Sequence, residues 1–321
     1  MVAIGHRLAG DCSHLPYSRA DAGRVRMQSE ESVRKVPFDP EHLESLRLRQ
    51  LDGRPVLAWP PILPPFDPRG LERANQFECW KKASDSKVGI AGSYFSHKAS
   101  GRTACHSWLE ATLLRYFDFC PFVVEIRTQY PSWERGAFMR YANRGWRMPK
   151  NMVMTIDFML ALRIPGYPSV IYHGVSAKPS ALVAEEKVVR RHNREAGALW
   201  TWAATHEVMT ELTVSQQECA NYRRLHAFML HTDRIENYAR DAQMLALALS
   251  GTTARGTLDR VLGMVGKRLG YDRRTAYRLF GVANFLGHLS WDHRFSVSPR
   301  EPMMLMRSQR VPITVEDGRG R

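Results

Sequence analysis

Between Thr103 and Phe119 the chain reads TACHSWLEATLLRYFDF. Trp108, Leu109, Leu113, Leu114 and Phe117 recur at helical spacing, and Pro121 follows shortly after, which predicts an amphipathic helix. FVVEIRTQY is dense in β-branched and aromatic residues and predicts a strand. PSWERGAFMRYANRGWRMPK reads as a long, basic, aromatic loop. NMVMTIDFMLAL and PSVIYHGVSAK then predict two strands forming a hairpin around Pro165-Gly166. A helix is expected from Ala181 to Ala196, with Gly197 as its C-cap. ALWTWAAT follows as a further strand, in which Trp200 and Trp202 alternate with threonine and read as core. Helix, three strands, helix, strand predicts an α/β fold, a mixed sheet with helices packed on it.

The flanks have a different texture. Residues 1–80 are irregular: PFDPEHLESLRLRQ has room for a short helix, but RPVLAWPPILPPFDPRG is too proline-rich for regular structure, so this part reads as an arm wrapping the next domain or a partner. The catalytic candidate spans 81–210. From 211 to 310 the pattern is helical, in QQECANYRRLHAFML, RIENYARDAQMLALAL, TARGTLDRVLGMVGKRLG and DRRTAYRLFGVANFLG. HLSWDHRFSVS then reads as two short strands. Two helices joined by a tight glycine turn and followed by a hairpin suggest a winged helix, whose recognition helix presents Arg273, Arg274 and Arg278. A plain helical domain with a basic solvated face is the alternative. Residues 311–321 form a tail.

Charge narrows the partners. Against 32 Asp plus Glu stand 46 Lys plus Arg, a net +14, which favours a polyanion, nucleic acid before anionic membrane. No apolar run is long enough to span a bilayer, and MVAIGHRLAGDCSHL lacks the apolar core of a signal peptide. The five cysteines are scattered without a CxxC, which fits reduced cytosolic thiols and a cytoplasmic, nucleoid-associated protein. The histidines, His97 and His173 among them, have no partner at metal-ligand spacing.

Asp157, inside the apolar run VMTIDFML, is the position that asks for a reason, because an unpaired buried carboxylate is costly. Lys178 ends the returning strand, so antiparallel pairing brings it beside Asp157, and Ser176 shares its face. Glu110 lies next to the apolar stripe of the first helix. Two carboxylates that hold Mg²⁺ beside a lysine are a known solution for phosphodiester hydrolysis. Solvated helix and strand-end charges are the plain alternative for Glu110 and Lys178. Lys187, Arg190, Arg191 and Arg194 on the next helix read as phosphate contacts or as a solvated face.

YFSHKASGR, SWLEATLLRYFDF, VVEIRTQYP, TIDF, VSAKPSAL and WTWAATHEV occur in this order in a way that resembles TnsA, the endonuclease subunit of heteromeric cut-and-paste transposases. The resemblance covers about residues 90–210 well and the C-terminal part more loosely. It implies a restriction-endonuclease-like domain with Glu110, Asp157, Ser176 and Lys178 as the catalytic set and Glu110 and Asp157 as ligands of Mg²⁺, or Mn²⁺ in its place. Arg127 and Gln129 would support the site or bind DNA. Implied partners are the double-stranded transposon ends, a DDE-type TnsB-like transposase that cuts the 3′ ends, and an AAA⁺ TnsC-like ATPase. The superfamily usually carries Gln, Glu or Asp where this chain has Ser176, a shorter and weaker ligand. The Ala177 carbonyl, Glu185 and Glu186 are the substitutes within reach. A nuclease fold retained only for DNA binding and assembly, and a stand-alone restriction or repair nuclease, are the competing readings.

Overall fold

The computed structural model describes residues 46–306, apart from 86–89, 145, 147, 150 and 151. The arm before Leu46, the tail after Met306 and most of the helix considered in PFDPEHLESLRLRQ lie outside the described residues. A single 3-10 turn, Leu48–Gln50, is the described end of that stretch.

Two short strands, β1 (Gly92–Ser96) and β2 (Gly101–Cys105), pair antiparallel around a turn in which Ser100 has φ 56 and Gly101 φ 146. Thr103–Cys105, expected as helix, therefore belongs to a hairpin. The helix α1 begins later, at Trp108, and runs to Phe119. Ser107-x-x-Glu110 is the reason: the Ser107 hydroxyl accepts from the Glu110 N–H at 3.1 Å, a capping box that sets the first turn. The other end of α1 is closed from the hairpin. Lys98, 1 % exposed, donates from Nζ to the Phe117 and Cys120 carbonyls at 3.0 and 2.7 Å, a cation on the negative end of the helix.

The main sheet has the order β3-β4-β5-β6. β3 (Val123–Ser132) and β5 (Ile171–Ala177) are both antiparallel to β4 (Met154–Leu162), and β6 (Ala204–Met209) is parallel to β5. The sheet is thus mixed, as the element order predicts, with helices flanking it. Phe117 of α1 packs edge-on against Phe158, ring centroids 5.0 Å apart. The loop expected after β3 contains a helix, α2 (Arg135–Asn143). Its first turn is stabilised by the Glu134 carboxylate, which accepts from the Gly136 and Ala137 N–H groups.

The helix expected at 181–196 is two pieces, α3 (Ser180–Val183) and α4 (Glu186–Trp200). Gly197 lies inside α4, which caps at Thr201 before Ala203 turns the chain with φ 54. Trp200 and Trp202 are accordingly not on a strand. Ala198, Leu199 and Trp202 are buried at helical spacing, and that outweighs the apparent alternation. At Gly174 a Cβ would stand 2.4 Å from Leu199 Cδ1, so the absence of a side chain lets α4 lie directly on β5.

Four helices follow: α5 (Gln216–Phe228), α6 (Ala239–Gly251), α7 (Leu258–Arg268) and α8 (Arg273–Phe285). The α7–α8 turn has Gly270 at φ 81, and Asp272 caps α8. The two strands expected in HLSWDHRFSVS are not formed. Single bridges pair Trp291 with Leu305 and Thr257 with Pro302, while Asn221 takes the backbone at Phe295 and Val297 that a ladder would need. Phe119 stacks on Tyr222 of α5 and meets Phe285 of α8 edge-on, so one apolar core runs through sheet and helices. The segment from Leu46 straps both, with Leu48 N–H on Glu207 at 3.2 Å and Leu57 N–H on the Leu286 carbonyl at 2.8 Å. No helix among the described residues is long and apolar enough to cross a membrane.

Candidate functional site

The β4–β5 ladder stops at Phe158 and Val175 although both strands continue. Backbone groups beyond that point need other partners, and side chains provide them. Asp157 Oδ2 accepts the Ala177 N–H at 2.8 Å. The Thr155 carbonyl accepts from Arg191 Nη2 at 3.2 Å. Lys178 continues towards β6 through its N–H on the Met209 carbonyl at 3.0 Å. Past the end of the ladder Lys178 lies close enough for its charge to act on the Asp157 carboxylate.

Glu110, buried in the first turn of α1, faces the same place. Its Oε2 accepts the His106 N–H at 2.8 Å and Gln129 Nε2 at 3.0 Å, and its Oε1 accepts the Ser107 hydroxyl at 3.0 Å. A capping box explains the serine and the glutamate but not the glutamine. Gln129 reaches Glu110 because it sits in mid-strand at φ 48, a left-handed conformation that costs a non-glycine residue about 1–2 kcal/mol. The twist also breaks the alternation of β3: Arg127 and Tyr130, which an ideal strand would put on opposite faces, both bond Asp67.

Burial raises the pKa of Asp157 to about 7, and the charge of Glu110 adds to the rise. The Ala177 N–H and the charges of Lys178 and Arg191 pull the other way. Burial also raises Glu110, against its three hydrogen bonds and Lys178. Two carboxylates that disfavour each other's ionisation, with one lysine acting on both, are relieved by a shared proton or by a cation. Glu110 and Asp157 could hold Mg²⁺, which is commonly bound through one or two carboxylates, with waters and phosphate completing the shell. Among the described residues no group of three or more His, Cys, Asp or Glu is arranged to hold a metal.

The other expected residues fall in several places. Ser176 is buried and donates at 2.8 Å to Glu195 of α4, with His206 Nε2 at 3.1 Å from its hydroxyl. Glu185, the N-cap of α4, pairs with Lys187, and Glu186 pairs with Arg190. Arg127 is 2 % exposed and spent on Asp67 and Glu125, both at 2.7 Å, so it does not reach DNA. Lys187, Arg190 and Arg194 are exposed. Arg273 pairs with Asp259, Arg274 is exposed, and Arg278 donates to the Tyr238 hydroxyl at 3.1 Å. Beyond its first turns α8 is buried among its neighbours, which leaves only its N-terminal end for a groove.

Two further residues differ from what the sequence suggests, Trp108 being expected on the apolar stripe of α1. Glu195 is fully buried, and Trp108, two positions before Glu110, is 55 % exposed with the Arg223 guanidinium 5.3 Å from its ring centre. Trp108 lines a groove of about 770 Å³ with Thr112, Thr210 and Arg223. A second large cleft, about 750 Å³ around Tyr116, Glu218, Tyr222 and His293, holds none of the candidate residues. Neither a protein-family model nor a curated protein matches the chain.

Proposed function

We propose that the chain is a metal-dependent DNA endonuclease, the subunit of a heteromeric transposase that cuts the 5′ ends of a mobile element. On this reading the mixed sheet is a restriction-endonuclease-like domain, and α5–α8 form a winged-helix-like domain that contacts DNA and an AAA⁺ ATPase. The observation that carries it is the Glu110–Asp157 carboxylate pair, with Lys178 acting on both, where the β4–β5 ladder ends. The net charge of +14 supports a DNA substrate. So does the order of motifs shared with TnsA.

Mg²⁺ held by Glu110 and Asp157, with Mn²⁺ as substitute, would polarise the scissile phosphate and lower the pKa of the attacking water. Gln129 and the His106 N–H keep the Glu110 carboxylate in one orientation, and the Ala177 N–H does the same for Asp157. Lys178 orients the water and offsets charge developing on the phosphate.

A second reading, a nuclease fold kept for assembly, is favoured by one observation: Ser176 is engaged by Glu195 and contributes nothing to the carboxylate pair. Strand-resolved mapping of cleavage on a transposon-end duplex, with the DDE-type partner and Mg²⁺, separates the two. The endonuclease reading expects 5′-end cuts that Asp157→Ala abolishes while 3′-end cuts persist. Absence of 5′-end cuts with the wild-type chain, where the partner cuts, favours assembly. Efficient cleavage by the purified chain alone would instead point to a stand-alone nuclease.

A further inference from the structure

Glu195 is 0 % exposed, on the face of α4 that meets the sheet. A buried carboxylate is tolerated only with its partners in place, and here they are specific. Arg191 Nε donates to Oε1 at 2.7 Å, and Ser176 donates to Oε2 at 2.8 Å. His206 Nε2 is 3.6 Å from the same Oε2. As a helix pair it is in the weaker order: Arg precedes Glu by four residues, the less favourable arrangement against the helix dipole. What the arrangement does is immobilise Arg191. Its Nε is held by Glu195 and its Nη2 by the Thr155 carbonyl, two residues before Asp157. The side chain nevertheless remains 44 % exposed. A guanidinium carries five N–H donors, so these two bonds leave its outer edge to a ligand. Its charge is felt at Asp157.

We propose that Arg191 presents this outer edge to the non-bridging oxygens of the scissile phosphate beside Asp157, and that Glu195 and Ser176 are positioning residues that hold it there. Arg191 forms no covalent bond and moves no proton. It neutralises charge that grows on the phosphate as the water adds and the 3′ oxygen leaves. Fixed in advance, a planar fork meets two phosphate oxygens with little reorganisation. The serine at 176 then has a reason: a carboxylate in its place would stand against Glu195, whereas a hydroxyl donates to it.

The inference rests on the endonuclease reading, and the test keeps the two apart. In the full reaction with partner, transposon-end duplex and Mg²⁺, Arg191→Ala should slow 5′-end cleavage by about 100-fold or more. Duplex affinity should change by less than about 3-fold, since each phosphate contact contributes little to total binding. Added guanidinium ion should restore part of the rate to Arg191→Ala and none to Asp157→Ala, an effect that a merely structural arginine would not show. Glu195→Gln, which keeps the shape but releases the guanidinium, should lower the rate about 10-fold with affinity unchanged. Arg191→Lys, which retains charge and packing, should stay slow because an ammonium cannot make both contacts. Wild-type cleavage rates in both Arg191 variants, with Asp157→Ala inactive, would overturn this inference and leave the endonuclease reading standing. Full activity in Asp157→Ala would bring down both.

Discussion

Replacing Asp157 by asparagine should make the protein more stable while removing its cleavage activity. The folded state binds Asp157's proton more tightly than an unfolded chain does, since its pKa rises from 3.8 to about 7 through burial and the charge of Glu110. Between those values the folded protein holds the extra proton, so the stability attributable to this group is greatest near pH 4 and falls as pH rises through 7. The rise corresponds to at most about 4 kcal/mol. Asp157 is only partly buried and its pair titrates jointly with Glu110, so about 1–2 kcal/mol is the expected penalty at pH 8. Asparagine keeps an oxygen for the Ala177 N–H, removes the charge and relieves Glu110. Thermal unfolding in EDTA should therefore give Asp157→Asn a Tm about 1.5–3 °C above wild type at pH 8. The gain should shrink towards zero near pH 4.5. Mg²⁺ at a fixed concentration should raise the wild type more than the variant, because ligand binding to the folded state adds stability in proportion to the logarithm of its affinity. A variant less stable than wild type at pH 8, or a gain independent of pH, would refute the carboxylate-pair reasoning.

Gln129→Asn suits the left-handed backbone but is too short to reach Glu110, so it should leave Tm within about 2 °C of wild type and slow 5′-end cleavage by about 10-fold. Lys98→Met should destabilise by about 1–2 kcal/mol in urea unfolding, because the buried Phe117 and Cys120 carbonyls each lose a charged donor and keep a backbone N–H. Gly174→Ala forces Leu199 away from β5 and should cost about 1–3 kcal/mol, read as a lower denaturation midpoint with unchanged slope.

Some of this was visible along the chain, and the reasons differ by residue. Asp157 stood out because a charge in an apolar strand demands a partner, whereas the hairpin pairing expected to bring Lys178 beside it ends at Phe158 and Val175. Glu195 carried a readable signal that periodicity alone did not promote. Val188, His192, Glu195 and Leu199 are spaced four, three and four apart, so the glutamate lies on the buried stripe of α4. Gln129 carried none, because nothing local marks a glutamine for left-handed backbone in mid-strand. Lys98 is similar: a lysine in a turn reads as solvated until a helix C-terminus is found above it. The β1–β2 hairpin was legible in Ser100-Gly101, but the helical spacing starting at Thr103 competed with it. The basic helix α8 looked like a recognition helix from its three arginines. Its Ala276, Leu279, Phe280, Val282 and Phe285 pack it into the helical layer, which leaves Arg273 and Arg274 exposed at its N-terminal end. Partner identity left no trace in local pattern, because assembly surfaces are not periodic.

The measurement that bears most directly on the carboxylate pair as a cation site is Mn²⁺ binding to the full chain with an end duplex, followed by electron paramagnetic resonance. Wild type should bind Mn²⁺ saturably, and Asp157→Asn and Glu110→Gln should each weaken binding by about 10-fold or more. Equal Mn²⁺ affinity in the wild type and in the double variant would contradict the account.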